Sequence, residues 1–198
     1  FMNNQDEKTA VEQFGKGDKY FGICIMMATL PGLPMFGHGQ FEGFTEKYGM
    51  EYRRAYYDET PDQWLVDRHA REISPLLHKR YVFAGVEDFL LFDVYTPEGY
   101  VDENVFAYSN AYEGEHALVV YHNKFADTRG WIRTSAAYAV KTGSGDEKVL
   151  VQRELKDGLG LRGDDDVYYI FRDQITGLEY IRNGRELCEH GFFIQLGA

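Results

Sequence analysis

Cysteine is almost missing from this chain of 198 residues: Cys24 and Cys188 stand far apart and outside any Cys-x-x-Cys spacing. Their scarcity excludes a disulfide framework and a zinc knuckle, and predicts two buried, inert thiols. Basic residues are short as well, 21 against 32 acidic ones, for a formal charge of -11. A phosphate-neutralising surface is excluded as the main business of the protein, and no nucleic-acid partner is expected. Long apolar runs are lacking too. The richest stretch, "YFGICIMMATLPGLPMF", is broken by Pro31, Gly32 and Pro34 before it reaches the roughly 20 residues of a membrane span. It reads instead as a buried helix followed by a buried strand, and no membrane partner is expected. The first residues, "FMNNQD", show no n-region, h-region and cleavage site, which is uninformative for a chain that opens as if in mid-phrase. The expectation is a piece of a longer soluble protein, with the compartment open and the cytoplasm slightly favoured. Linkers rich in Pro and Ser, repeats and low-complexity tracts are absent apart from the acidic run Asp164 to Asp166, which predicts two modules packed directly together.

Metal and cofactor motifs are equally scarce. His38, His69, His78, His116, His122 and His190 show neither H-E-x-x-H nor a paired ligand spacing, and the Asp164 to Asp166 run lacks the spacing of a calcium loop. "GLGLRG" at Gly158 to Gly163 satisfies G-x-G-x-x-G. It leads into "DDDVYYIF" and not into a helix whose amino end could hold a pyrophosphate. No metal and no cofactor are predicted.

What is present divides the chain by pattern. Residues 1–80 read as strand end, loop, helix, short strand, long loop and helix, the alternation of an α/β unit with parallel strands. The second helix is expected over roughly 61–79. Thr60 would cap it, Pro61 take its first position and Gln63 complete a capping box, with Trp64, Leu65, Ile73, Leu76 and Leu77 as the apolar face and a kink or break at Pro75. Residues 81–198 change period. "FLLFDVYT", "NVFAYSNAY", "HALVVYHNKF", "WIRTSAAYAV" and "DVYYIFRD" are short aromatic and β-branched runs between turn residues, the pattern of an all-β sandwich or barrel. Asn183-Gly184 within "LEYIRNGRELC" predicts a tight hairpin.

The chemistry concentrates at "FMNNQD". If a barrel strand ends there, Asn4, Gln5 and Asp6 stand at a catalytic rim, with Asp6 able to stabilise developing positive charge and the two amides able to bind neutral hydroxyls. Sugar fits that set; an Asn/Asp turn with Asp6 capping the next helix is the alternative. The long loop "FGHGQFEGFTEKYGMEYRRAYYDE" carries Phe44, Tyr48, Tyr52, Arg53, Arg54, Tyr56 and Tyr57, which could line a sugar site or pack the two modules together.

"FMNNQD", followed by "LPGLPMFGHGQ" and then by the all-β module with "VFAYSNAYEGEHALVVYHNKF", resembles the carboxyl-terminal part of the alpha-amylase family of glycoside hydrolases. The family ends its seventh barrel strand in Phe-x-x-Asn-His-Asp, matched by Phe1, Asn4 and Asp6. Its eighth strand carries a Pro-Gly-x-Pro run and a Gly-Asp/Gln-Glu turn, matched by Pro31, Gly32, Pro34, Gly39 and Gln40. The resemblance implies the last part of a (β/α)8 barrel over residues 1–80 and an antiparallel β-sandwich domain over 81–198. It implies Asp6 as the third carboxylate of the active site, with Asn4, Gln5, His38 and Gln40 on an α-glucan or malto-oligosaccharide substrate. Gln5 replaces the family's His and cannot be protonated, and Phe41 stands where Glu usually follows Gln40, with Glu42 one place later. The nucleophile and the acid/base belong to barrel strands that precede this stretch. The chain alone is therefore expected to be inactive, the intact parent being a retaining hydrolase or a glucanotransferase. A family member that has lost catalysis and serves as a binding or assembly module is the second reading.

Overall fold

The computed structural model describes residues 1–47, 53–143 and 146–197, and the chain divides into two compact units, Phe1–Ala84 and Gly85–Ala198. The first unit is helical. α1 (Ala10–Phe14) and α2 (Asp18–Thr29) are followed, after the long loop, by α3 (Gln63–Arg68), a π-helical turn (His69–Ile73), α4 (Ser74–His78) and α5 (Arg80–Phe83). Tyr20, Cys24 and Ala28 recur at helical spacing and, with Phe21, bury one side of α2 in a core that contains Leu65, Ile73 and Leu76, closed by Met2, Ala10 and Val11.

Two local expectations are corrected here. The cap of α3 is Asp62, whose carboxylate accepts the Leu65 N–H at 3.3 Å and the Lys16 ammonium at 2.7 Å; Thr60 is not the cap and Pro61 lies outside the helix. A carboxylate is the better acceptor at the positive end of a helix, and it displaces the hydroxyl two residues before it. The break expected at Pro75 takes a milder form. The helix widens into the π turn just before it, so Pro75 enters at the start of a new α segment, where its missing N–H leaves no ladder bond unmade.

No β-strand forms among the described residues of this unit, although one was expected to end at "FMNNQD" and another to follow α2. Leu33, expected to be buried, is 93% exposed. A strand exists only through a neighbour's ladder. These two segments meet through side chains instead, the Gln40 amide lying 3.3 Å from the Met2 sulfur and the Asn3 side chain filling the space beside Gly37.

The second unit is built on one antiparallel sheet of order β3-β2-β1-β4-β9, with β1 (Leu90–Tyr95), β2 (Val105–Tyr112), β3 (Glu115–His122), β4 (Thr128–Ser135) and β9 (Phe192–Leu196). Leu90, Phe92 and Val94 point inward at strand period. Each of the five runs singled out in the sequence contains a strand, and the sheet-rich, antiparallel character of this unit is as expected. The second broad sheet of a sandwich is replaced by two hairpins, β5 (Tyr138–Lys141) with β6 (Lys148–Val151) and β7 (Tyr168–Arg172) with β8 (Glu179–Asn183), and by α6 (Leu155–Leu159) and α7 (Gly184–His190). Leu155 and Leu159 of α6, with Phe171 and Tyr138, complete the core. The helix can lie this close because Gly158 has no Cβ: one would stand 2.5 Å from Ser109 Oγ and 3.1 Å from Leu90. Within "GLGLRG", Gly158 thus serves packing, and Gly160 ends α6 in the left-handed conformation with φ at 61°.

The Asn183-Gly184 hairpin is also corrected. Asn183 ends β8 and caps α7, its side-chain oxygen accepting the Glu186 N–H at 3.1 Å. The tight two-residue turn occurs at Glu113-Gly114, between β2 and β3, where φ is 47° and 85° as a type I′ turn requires.

Candidate functional site

The segment 1–9 is anchored from below. Met2 and Asn3 are buried, and Gln13 Nε2 donates to the carbonyls of Met2 at 3.2 Å and Lys8 at 2.6 Å. Asn4 closes the turn that follows, its Oδ1 accepting the N–H groups of Asp6 at 2.8 Å and Glu7 at 3.0 Å. The Asn-rich turn of the alternative reading is therefore real, and it presents Gln5 and Asp6 to solvent; the cap expected of Asp6 is corrected, since Thr9 holds the N-cap position of α1. Asp6 is held through its backbone, since its carbonyl accepts Lys47 Nζ at 2.8 Å.

The second wall comes from residues 35–38. Gln40 is 2% exposed and governs it: Oε1 accepts the Gly37 N–H at 3.0 Å, and its carbonyl lies 3.0 Å from the Tyr20 hydroxyl. A concave surface of about 200 Å³ results, to which Asn4, Gln5 and His38 contribute together with Asn3, Thr9 and Lys47. Asp6 stands beside it in the chain without lining it, and Gln40 lies beneath it. Asn3 and Thr9 went unread in the sequence. Each is 5% exposed, and Asn3 Oδ1 and Thr9 Oγ1 have no hydrogen-bond partner among the described residues. Buried polar atoms are rarely left so, and both border this cavity. Asn3 occupies an unspecified position of the quoted motif, and nothing in composition marks Thr9.

Phe41, where the resemblance expects Glu, packs its ring 4.6 Å from Phe36 and 4.6 Å from His69. Half-buried there, it offers ring contacts where the resemblance expects a carboxylate. The long loop is tied by two carboxylates: Glu59 accepts Thr45 N–H at 2.8 Å and Glu46 N–H at 2.9 Å, and Glu46 accepts Tyr56 N–H at 2.7 Å. Burial opposes ionisation of Glu59, but the hydrogen bonds from Thr45 and Glu46 outweigh it and hold the carboxyl below the usual range. Tyr56 and Tyr57 are exposed on this loop; Tyr48 and Tyr52 lie outside the described residues.

Behind the site, His69 is fully buried, with Nδ1 3.0 Å from the Leu65 carbonyl and Nε2 3.0 Å from the Tyr20 hydroxyl. With Nδ1–H donated to Leu65, Nε2 is the acceptor, and the single Tyr20 proton serves either Nε2 or the Gln40 carbonyl. Burial depresses the His69 pKa, against the Leu65 carbonyl and the charges of Glu42 and Glu72, which favour the cation. The fold thus holds the neutral ring, and its contribution is complete above the unfolded value of about 6.5 and is lost as pH falls toward the lower folded value. The urea midpoint of the first unit should fall with pH below about 6.5 more steeply in the wild type than in His69→Gln; parallel slopes would remove His69 as the cause.

Cys24 is buried and its thiol is pushed up to about 12 by burial, whereas Cys188 is only partly buried, a correction to the expectation of two buried thiols. Among the described residues no group of three or more His, Cys, Asp or Glu side chains could hold a metal ion, and no helix is long and apolar enough to cross a membrane.

No family model and no curated protein matches the chain. Among solved structures it is similar to a noncanonic maltogenic alpha-amylase from Thermotoga neapolitana, with a TM-score of 0.55 and 14% identity. The likeness covers 100% of this chain and 38% of that one. The chain therefore spans well under half of the matched protein's length, and what the two share is an amylase-like fold.

Proposed function

We propose that this chain is the carboxyl-terminal part of an α-amylase-type protein, its first unit the end of a (β/α)8 barrel and its second the β domain that follows. The observation that carries the reading is the concave surface to which Asn4, Gln5 and His38 contribute, in a chain whose whole length is similar in fold to a maltogenic alpha-amylase. In the intact protein the segments ending at Asn4 and at Phe36 acquire strand neighbours, and the substrate is an α-glucan or malto-oligosaccharide. Asp6 offers a carboxylate to the positive charge that develops on the sugar, Asn4, Gln5 and His38 meet its hydroxyls, and Gln40 supports the surface from beneath. A Gln amide at position 5 can donate to a hydroxyl but carries no proton to lose, so it binds and orients. The retaining reaction needs two carboxyl groups about 5–5.5 Å apart. In this reading they come from elsewhere in the intact protein, and water access there decides between hydrolysis and glucan transfer.

The test is kinetic. In the intact protein, Asp6→Asn should lower kcat on maltotriose by about 100-fold or more while KM changes little, and the chain alone should turn over none. Unchanged turnover in Asp6→Asn would remove that residue from the reaction. An intact protein that binds malto-oligosaccharide without cleaving it would instead be a relative that has kept the fold as a binding module.

A further inference from the structure

The peptide of Asp6 is held from both sides. Its N–H donates to Asn4 Oδ1 at 2.8 Å, and its carbonyl accepts Lys47 Nζ at 2.8 Å, from 41 residues away in the chain. The carboxylate, by contrast, has no hydrogen bond or ion pair among the described residues. A fixed backbone under an open charged group is the arrangement that preorganised electrostatic stabilisation needs. A lysine side chain alone is a loose clasp, because it carries much rotamer entropy. Glu59 compensates by fixing the backbone just before Lys47. One Glu59 oxygen accepts the Thr45 N–H at 2.8 Å and the Thr45 hydroxyl at 2.7 Å, and the other accepts the Glu46 N–H at 2.9 Å. Glu46 closes the tie, its two carboxylate oxygens accepting the N–H groups of Tyr56 and Tyr57 at 2.7 and 3.1 Å.

We infer that Lys47 is a positioning residue for Asp6, and that Glu59 sets Lys47 in place. The inference rests on the reading of Asp6 proposed above and adds two residues to it. The sign of the charge decides between positioning and binding. Lys47 borders the concave surface, where an ammonium turned toward a sugar that develops positive charge would raise the barrier. Donated to the Asp6 carbonyl, the same group fixes the residue whose negative charge lowers it.

The experiment is steady-state kinetics of the intact protein on maltotriose. Lys47→Met keeps the apolar stem of an exposed side chain and removes its donor, so the variant should fold. Misplacing a reacting group by about 1 Å can lower a rate about 100-fold, and a loosened Asp6 should lower kcat about tenfold with KM nearly unchanged. Lys47→Arg, which keeps a donor, should recover most of that loss. Glu59→Gln should lower kcat in the same way. The double variant should be no slower than Lys47→Met alone, because without the clasp its support holds nothing. Turnover lost in Asp6→Asn but kept in Lys47→Met overturns the inference and leaves the reading of Asp6 standing. A Lys47→Met effect confined to KM also overturns it, and would place Lys47 on the substrate. Additive losses in the double variant would remove Glu59 from the account. Unchanged turnover in Asp6→Asn, or an intact protein without turnover, overturns the inference and the reading beneath it together.

Discussion

Arg68→Ala should lower the stability of the first unit by about 3–5 kcal/mol, the range for a buried ion pair deprived of one partner. The side chain is 16% exposed, and Nε donates to both oxygens of Glu72 at 2.9 and 3.0 Å while Nη2 reaches Asp18 at 2.6 Å. Its guanidinium also lies 4.1 Å from the centre of the Phe21 ring. Glu72 belongs to the π turn and its side chain is 6% exposed, so without Arg68 a buried carboxylate keeps, among the described residues, a single ion-pair partner, Arg71, at 3.0 Å and 65% exposed. Arg71→Ala, which removes only that outer contact, should cost less than about 1 kcal/mol. The two tryptophans divide between the units, Trp64 in the first and Trp131 in the second. Urea unfolding followed by Trp64 fluorescence in a Trp131→Phe background therefore reads the first unit alone. Equal small losses for the two arginine variants would show that Glu72 is not held by Arg68.

The second large effect belongs to the other unit. Gly191 separates α7 from β9 with φ at +80° and ψ at -172°, a region open essentially to glycine, and a Cβ there would collide with the Ile132 carbonyl and the Arg133 side chain. The chain cannot shift away cheaply, because β9 begins at the next residue and Phe192 pairs with Ile132. Gly191→Ala should cost about 3 kcal/mol or more, combining backbone strain with a backbone clash. Gly143 is the control. It too has positive φ, at +70°, but nothing lies within 4 Å of a Cβ, so alanine there should cost about 1 kcal/mol. Trp131 packs its ring 4.9 Å from Phe193 of β9 and reports the event in a Trp64→Phe background. Similar costs at the two glycines would refute the account of Gly191.

These sites also mark where the sequence could be read. Alternation and β-branching disclosed the strands of the second unit because each strand's inward residues are a local pattern: Leu90, Phe92 and Val94 announce themselves. The apolar stripe of α2 was legible for the same reason. What failed was competition between near-equal local signals. Asn183-Gly184 satisfies both a hairpin rule and a cap rule, and Glu186 at the third helical position, whose N–H the cap accepts, decides for the cap. Asp62 and Thr60 compete in the same way at α3. The strands expected in the first unit failed for a different reason, since pairing is a property of two segments and neither alone contains it. Of the residues lining the concave surface, Asn4 was singled out by the quoted motif, Gln5 as the departure from it and His38 by its place on the following loop, whereas Asn3 and Thr9 border the surface through burial, which no spacing encodes.

The turn at Glu113-Gly114 has a consequence for the order in which the second unit assembles. It joins two strands of eight residues paired over their full length, from Tyr112↔Glu115 to Val105↔His122. Closing that pairing requires no long loop to be ordered first, and hairpins of this kind form in about 1–10 μs. The sheet's other edge is the opposite case, because β9 meets β4 only after both small hairpins and two helices have been laid down between them in the chain. Folding of this unit is therefore expected to run from one edge of the sheet to the other, with β2 and β3 as the early template and the addition of β9 as the slow step.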